Sequence, residues 1–180
     1  KYPRYAEFRE LMTGEAIAAI EGAKAAGATE IVVKDAHSSG RNILIDQLPD
    51  DVRVIRGWSG HPFSMVQELD ESFAAVVMIG YHASAGSEEN ALAHTMTLEA
   101  NAMRLNGAPL SEAVLHAFAA ATVNVPVAFV SGDAGLCAEL KAFNPAIATL
   151  AVKAGTGSAT NSMTPAGARK SIGITVFSGM

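Results

Sequence analysis

The stretch Ile31-Val32-Val33-Lys34-Asp35-Ala36-His37 decides the fold. It reads as a short buried strand that ends in Asp and His. A second run, Ala75-Val76-Val77-Met78-Ile79-Gly80-Tyr81-His82, has the same design. Each apolar run delivers a histidine at its carboxyl end. In open α/β sheets ligands bind at that edge, and neutral imidazole is the commonest protein metal ligand near pH 7. The expectation is that His37 and His82 approach each other there and hold a metal.

Working outward, Tyr5 to Ala26 reads as a long helix. Phe8, Met12, Ala16, Ile20 and Ala23 fall roughly on one stripe, and Gly27 can close the helix in a left-handed conformation. After the strand Ile31–Lys34 come a loop at 38–42, a turn at Pro49–Asp51 and a short strand over Val52–Ile55. Phe63–Leu69 reads as helical and Ala75–Ile79 as a buried strand. Asn106-Gly107 is the strongest hairpin signal in the chain and separates strands at Ala102–Leu105 and Ala108–Leu110. Ser111 is a good N-cap for a helix running to Thr122. Pro126–Val130 and Ala148–Val152 read as strands around a helix at Leu136–Ala142. Gly155 and Gly157 open a flexible stretch, and Pro165–Lys170 begins another helix. The alternation predicts an α/β fold of one domain, with a central, largely parallel sheet flanked by helices. Residues 171–180, with the run Gly173-Ile174-Thr175-Val176-Phe177, form an unassigned strand-like tail.

The 180 residues suit one ordinary domain, and 49% of them are apolar, enough for a real core. The net charge of −5, with no basic stripe, argues against nucleic acid as a partner. No apolar run approaches the roughly 20 residues needed to span a bilayer. The opening Lys1-Tyr2-Pro3-Arg4-Tyr5 carries no secretory signal. Cys137 is the only cysteine, so it has no internal disulfide partner and is most simply a small core residue. A cytoplasmic protein is the simplest reading.

Several residues divide between a structural and a chemical reading. His37 and His82 alone are each explained by a backbone carbonyl partner at a strand end. His94 follows a loop of small residues that can wrap the same sheet edge; taken alone it reads as a surface loop residue, and in a site its chemistry would be acid/base. Glu112 is fully explained by the helix macrodipole, which favours an acid in the first turn by roughly 0.3–1 kcal/mol. Glu112 and His116 share one helix face, a pair that could in principle ligate a metal but reads first as an ordinary solvent-facing contact. Asp35, on the same side of the strand as His37, is a possible second carboxylate orienting that imidazole, or a turn residue without a partner. His61 receives no role. Gly132-Asp133-Ala134-Gly135 follows a strand and opens a helix, like a phosphate loop. It matches neither the dinucleotide fingerprint nor the P-loop. Spacing alone leaves a metal hydrolase that is short of carboxylates.

Five blocks carry a resemblance: Glu30 to Ser39, His61 to Val66, Ile79 to Ala83, His94 to Met96, and Leu105-Asn106-Gly107 leading to Glu112. In this order the chain resembles the zinc D-aminopeptidases of the DppA type, peptidase family M55, from about Arg4 to about Arg169. The resemblance implies a metal-dependent aminopeptidase that releases N-terminal, chiefly D-, amino acids from short peptides with two zinc ions. It implies His37 as a ligand of one zinc, His82 and Glu112 as ligands of the other, and His94 as the catalytic histidine. It also implies a ring-shaped homo-oligomer. The family pattern begins with a strand ending in Asp-x-Glu-Gly that supplies the bridging aspartate, and it continues into a C-terminal segment. Residues 1–170 correspond to the domain without either. The alternative is a catalytically inactive binding or scaffold protein of the same fold. A nucleotide-binding α/β domain is the second rival.

Overall fold

The computed structural model describes residues 4–179. Residues 1–3, the start of the stretch without a secretory signal, and Met180 at the end of the tail lie outside the described residues. Helix α1 spans Tyr5–Ala25. It stops because Gly27, at φ +102°, reverses the chain. Gly27 N–H then bonds Lys24 O and Ala28 N–H bonds Ala23 O, both at 3.0 Å, which satisfies the last free carbonyls.

Strand β1 (Ile31–Asp35) pairs in parallel with β2 (Val52–Arg56). Strand β3 (Val76–Met78) pairs in parallel with β6 (Val127–Asp133), and β6 with β7 (Ala148–Thr156). The short hairpin β4 (Arg104–Leu105) and β5 (Ala108–Pro109) turns through Asn106 and Gly107, both at positive φ. Helices α2 (Glu112–Thr122), α3 (Ala134–Phe143) and α4 (Pro165–Gly179) complete the α/β fold. Side-chain alternation along β6 divides the core between two layers. Val130 faces a cluster with Met78, Val114, Leu136 and Leu140 from the α2/α3 side. Phe129 faces the other way, onto Ala19 and Ala23 of α1 and Ile172 and Val176 of α4.

The central sheet is largely parallel, as expected, and three other expectations need correction. The sheet is built as two ladders: β1–β2 stands apart from β3, β6, β7 and an eighth strand, β8 (Ala159–Ser162). Between β1 and β3 lies a cleft of about 500 Å³, walled by Glu30–His37 on one side and Ala75–His82 on the other. Phe63–Leu69 holds only a single 3-10 turn at Ser64–Val66, because Ser64 sits at φ +53°, outside helical space. The glycines at 155 and 157 belong to a hairpin, in which β7 turns into the antiparallel strand β8 (Ala159–Ser162). The tail is helical, not strand-like. Its β-branched residues favour strand locally, but Ala168, Ile172 and Val176 recur every four residues and are buried, Ile172 and Val176 in a cluster with Ala18, Ala19 and Ala23 of α1. Packing on one face outweighs a propensity difference of a few tenths of a kcal/mol per residue.

Helices α1 and α4 touch backbone to backbone where Gly22 meets Gly173. A Cβ on Gly22 would lie 2.5 Å from the carbonyl oxygen of Gly173. Gly22→Ala is therefore expected to destabilise the fold by about 1–3 kcal/mol, despite alanine's better helix propensity. Urea unfolding checks this. A stabilised variant would mean the two helices separate freely.

Candidate metal centre

The site is built at the carboxyl end of β3 and the amino end of α2. Helix α2 starts where the sequence calls for it: the buried Ser111 hydroxyl accepts the Val114 N–H at 3.3 Å. That cap places Glu112 in the first turn, with only 4% of its surface exposed. Its Oε1 accepts the backbone N–H of Met96 at 2.8 Å. Met96 holds φ +61°, a left-handed conformation that turns this N–H toward the carboxylate. Thr95, fully buried, stitches the same loop down: its hydroxyl accepts from Ala85 N–H and donates to Leu110 O.

The two imidazoles present one defined nitrogen each. The ring of His82 meets Ala83 O through Nδ1 at 3.1 Å, and that of His94 meets Leu92 O through Nδ1 at 2.8 Å. A carbonyl only accepts, so each Nδ1 is the donor, and in the neutral ring the lone pair then sits on Nε2. The rings stack with centroids 4.1 Å apart and planes 24° apart. His94 Nε2 lies 3.7 Å from Glu112 Oε1. Ligating atoms of His82, His94 and Glu112 all lie within 4.8 Å of one another. Two neutral imidazole nitrogens and a carboxylate oxygen are the donor set of zinc sites, whose bonds run about 2.0–2.2 Å. With one ligating atom from each residue inside 4.8 Å of the others, the donor set fits a divalent cation.

His37 stands elsewhere on the same cleft. It is solvent-exposed and lines the cleft with His82 and Glu112, and it is not in the three-residue donor group. Asp35 is buried, and its carboxylate accepts Asn42 N–H at 2.6 Å, Asn42 Nδ2 at 2.8 Å and Ile43 N–H at 2.9 Å. Its oxygens therefore serve the loop rather than the His37 ring. Asn42 Nδ2 also bonds His37 O, at 2.7 Å, so Asp35 shapes the backbone from which His37 emerges. His61 is exposed, its Nδ1 accepting from Phe63 N–H.

The pairing of Glu112 with His116 as a solvent-facing contact is corrected. His116 is 1% exposed, and its Nδ1 bonds the Tyr81 hydroxyl at 3.1 Å. Its Nε2 has no partner. The helix face that carries both residues points inward, because Ala113, Val114 and Ala120 pack the same helix into the core. Helical spacing showed that the two share a face, but not which way that face points. Burial lowers the His116 pKa to about 4, against an opposing pull from Glu112. Burial first, and the Glu112 charge second, push the Tyr81 phenol upward.

The folded His116 stays neutral where the unfolded one, near pH 6.5, gains a proton, so its contribution is complete above pH 6.5 and is lost as pH falls toward 4. The loss approaches about 3 kcal/mol over that window. Urea midpoints of the chelator-treated protein are expected to fall more steeply from pH 7 to pH 5 than those of His116→Asn. Parallel slopes would show that this ring does not titrate with unfolding.

The sequence profile of the D-aminopeptidases, peptidase family M55, matches residues 1–178. The chain belongs to this family. It is 36% identical to a D-aminopeptidase of Bacillus subtilis (strain 168) over 149 residues, which are 83% of this chain and 54% of that protein. It superimposes with a TM-score of 0.88 and 32% identity on the Zn-dependent D-aminopeptidase DppA from Bacillus subtilis, described as a self-compartmentalizing protease. That match covers 96% of this chain and 63% of the other. The chain thus spans between half and two thirds of the length of these M55 relatives. No helix among the described residues is long and apolar enough to cross a membrane.

Proposed function

We propose that this M55 chain forms part of a zinc-dependent aminopeptidase that releases N-terminal D-amino acids from short peptides. The observation that carries this is the convergence of His82, His94 and Glu112, with both imidazoles held as Nδ1–H tautomers. In this reading His82 Nε2 and the Glu112 carboxylate hold one ion, and His37 contributes to a second across the cleft. Zinc would supply Lewis acidity toward the scissile carbonyl and toward the attacking water. His94, fixed through Nδ1 on Leu92 O, keeps Nε2 free to accept the water's proton and return it to the leaving amine.

The gap in the sheet supports the two-ion reading. Among the described residues, β1 pairs only with β2 and β3 only with β6, so each leaves an edge along the cleft. A parallel strand laid between them would pair both edges. In the family pattern that strand ends in Asp-x-Glu, and its carboxylates would arrive beside His37, His82 and Glu112. A ring-shaped homo-oligomer and a cytoplasmic location belong to the same reading, the former supported by the self-compartmentalizing relative.

The test uses the full-length protein and dipeptides that differ only in the stereochemistry of the first residue. Amino-acid release is expected for the D-series, to cease on chelation and to return with zinc, with two zinc ions per chain by elemental analysis. A protein that carries no zinc and cleaves neither series would be a binding or scaffold protein.

A further inference from the structure

The turn Gly132-Asp133-Ala134-Gly135 has the look of a phosphate loop, but its space is already filled. Asp133 is fully buried. Its Oδ1 caps α3 by accepting Leu136 N–H at 2.8 Å. The flanking glycines admit the loop that follows β3. A Cβ at Gly132 would meet Tyr81 O at 2.5 Å, and one at Gly135 would meet Glu89 Cβ at 2.5 Å. Gly155 makes the same allowance on β7, where its N–H bonds Glu89 O at 2.9 Å.

The other oxygen of Asp133 lies at the root of two hydrogen-bond chains. Oδ2 accepts Ala83 N–H at 2.9 Å, and Ala83 O takes the proton on His82 Nδ1. Oδ2 also accepts Asn90 Nδ2 at 2.7 Å; Asn90 Oδ1 accepts Leu92 N–H at 2.9 Å, and Leu92 O takes the proton on His94 Nδ1. One buried carboxylate oxygen therefore anchors both carbonyls that fix the two ring tautomers.

We propose that Asp133 is a positioning residue for the metal centre, setting the tautomer and register of His82 through Ala83 and of His94 through Asn90 and Leu92. It touches neither ring, and its charge is used by the loop. The inference rests on the metal reading of the site only for its effect on zinc. Its effect on the rings stands without it.

The chains branch, so the variants separate. Asn90→Ala cuts the His94 branch and spares the His82 branch. Asp133→Asn keeps a competent N-cap for α3, but turns an amide donor toward two other donors and cuts both branches. Nitrogen-15 NMR of the metal-free protein, with each histidine assigned by substitution, reads the tautomers directly. Wild type is expected to show Nδ1–H at both rings. Asn90→Ala should leave His82 unchanged and give a tautomer mixture at His94, and Asp133→Asn should give mixtures at both. Zinc affinity, by competition with a chromogenic chelator, should stay unchanged in Asn90→Ala, whose branch serves the non-ligating His94, and fall about 10–100-fold in Asp133→Asn, the range for outer partners of ligating histidines. If Asp133→Asn does not fold, Asn90→Ala decides alone. Equal disturbance of both rings by Asn90→Ala, or of neither, overturns the proposal. A wild-type protein that shows the ring pattern but takes up no zinc sinks the metal reading and leaves the positioning role intact.

Discussion

Replacing Glu112 by Gln is expected to weaken zinc binding by more than about a hundredfold and to abolish peptidase activity. The side chain keeps its shape, and its Oε1 can still accept the Met96 N–H. What goes is the negative charge, the only one in the His82–His94–Glu112 group. Loss of an outer hydrogen-bond partner costs a metal site about 10–100-fold, and loss of a charged ligand should exceed that. Because the α2 cap resides in Ser111 and not in Glu112, the helix is expected to persist, with the circular dichroism spectrum unchanged. Zinc per chain after gel filtration, measured alongside that spectrum, is the check. Full zinc occupancy in the Gln variant would remove Glu112 from the ligand set.

Replacing His94 by Ala is expected to leave zinc bound and to lower kcat by about 10²–10⁴, the range for a positioned general acid or base. The geometry makes this a sharp comparison. His94 Nε2 lies close to the Glu112 carboxylate and its ring stacks on His82, so it stands within reach of the same ion. A proton-transfer group and a third ligand differ in what their removal does. The first costs turnover at constant metal content and nearly constant KM, whereas the second costs metal and turnover together. Equal loss of zinc and activity in His94→Ala would make this histidine a ligand. The paired measurement on Glu112→Gln supplies the scale for such a loss.

Much of the architecture is written in local pattern. Gly27 closes α1, Asn106-Gly107 turns the hairpin and Ser111 opens α2, because each needs only its own backbone geometry and its nearest neighbours. The same holds for the donors: strands that end in His37 and His82, and an acid in the first turn of α2, can be listed from the chain alone. Local pattern stops being informative where a distant partner decides. The tail over residues 171–179 is helical because Ile172 and Val176 meet α1, and Gly22 and Gly173 let the two helices touch. His116 is buried because the α2 face it shares with Glu112 turns inward onto Tyr81.

Local pattern along the chain suffices for the α/β class and for the kinds of side chain available at one sheet edge, since periodicity, caps and turn residues act over a few neighbours. It takes the packing of distant elements to bring His82, His94 and Glu112 within reach of one ion, to set His37 apart on the same cleft, and to let Asp133 anchor the loop between the imidazoles. Residues 83 and 133 are fifty positions apart, and no local preference encodes a hydrogen bond between them. Such a contact exists only once β3 and β6 lie side by side.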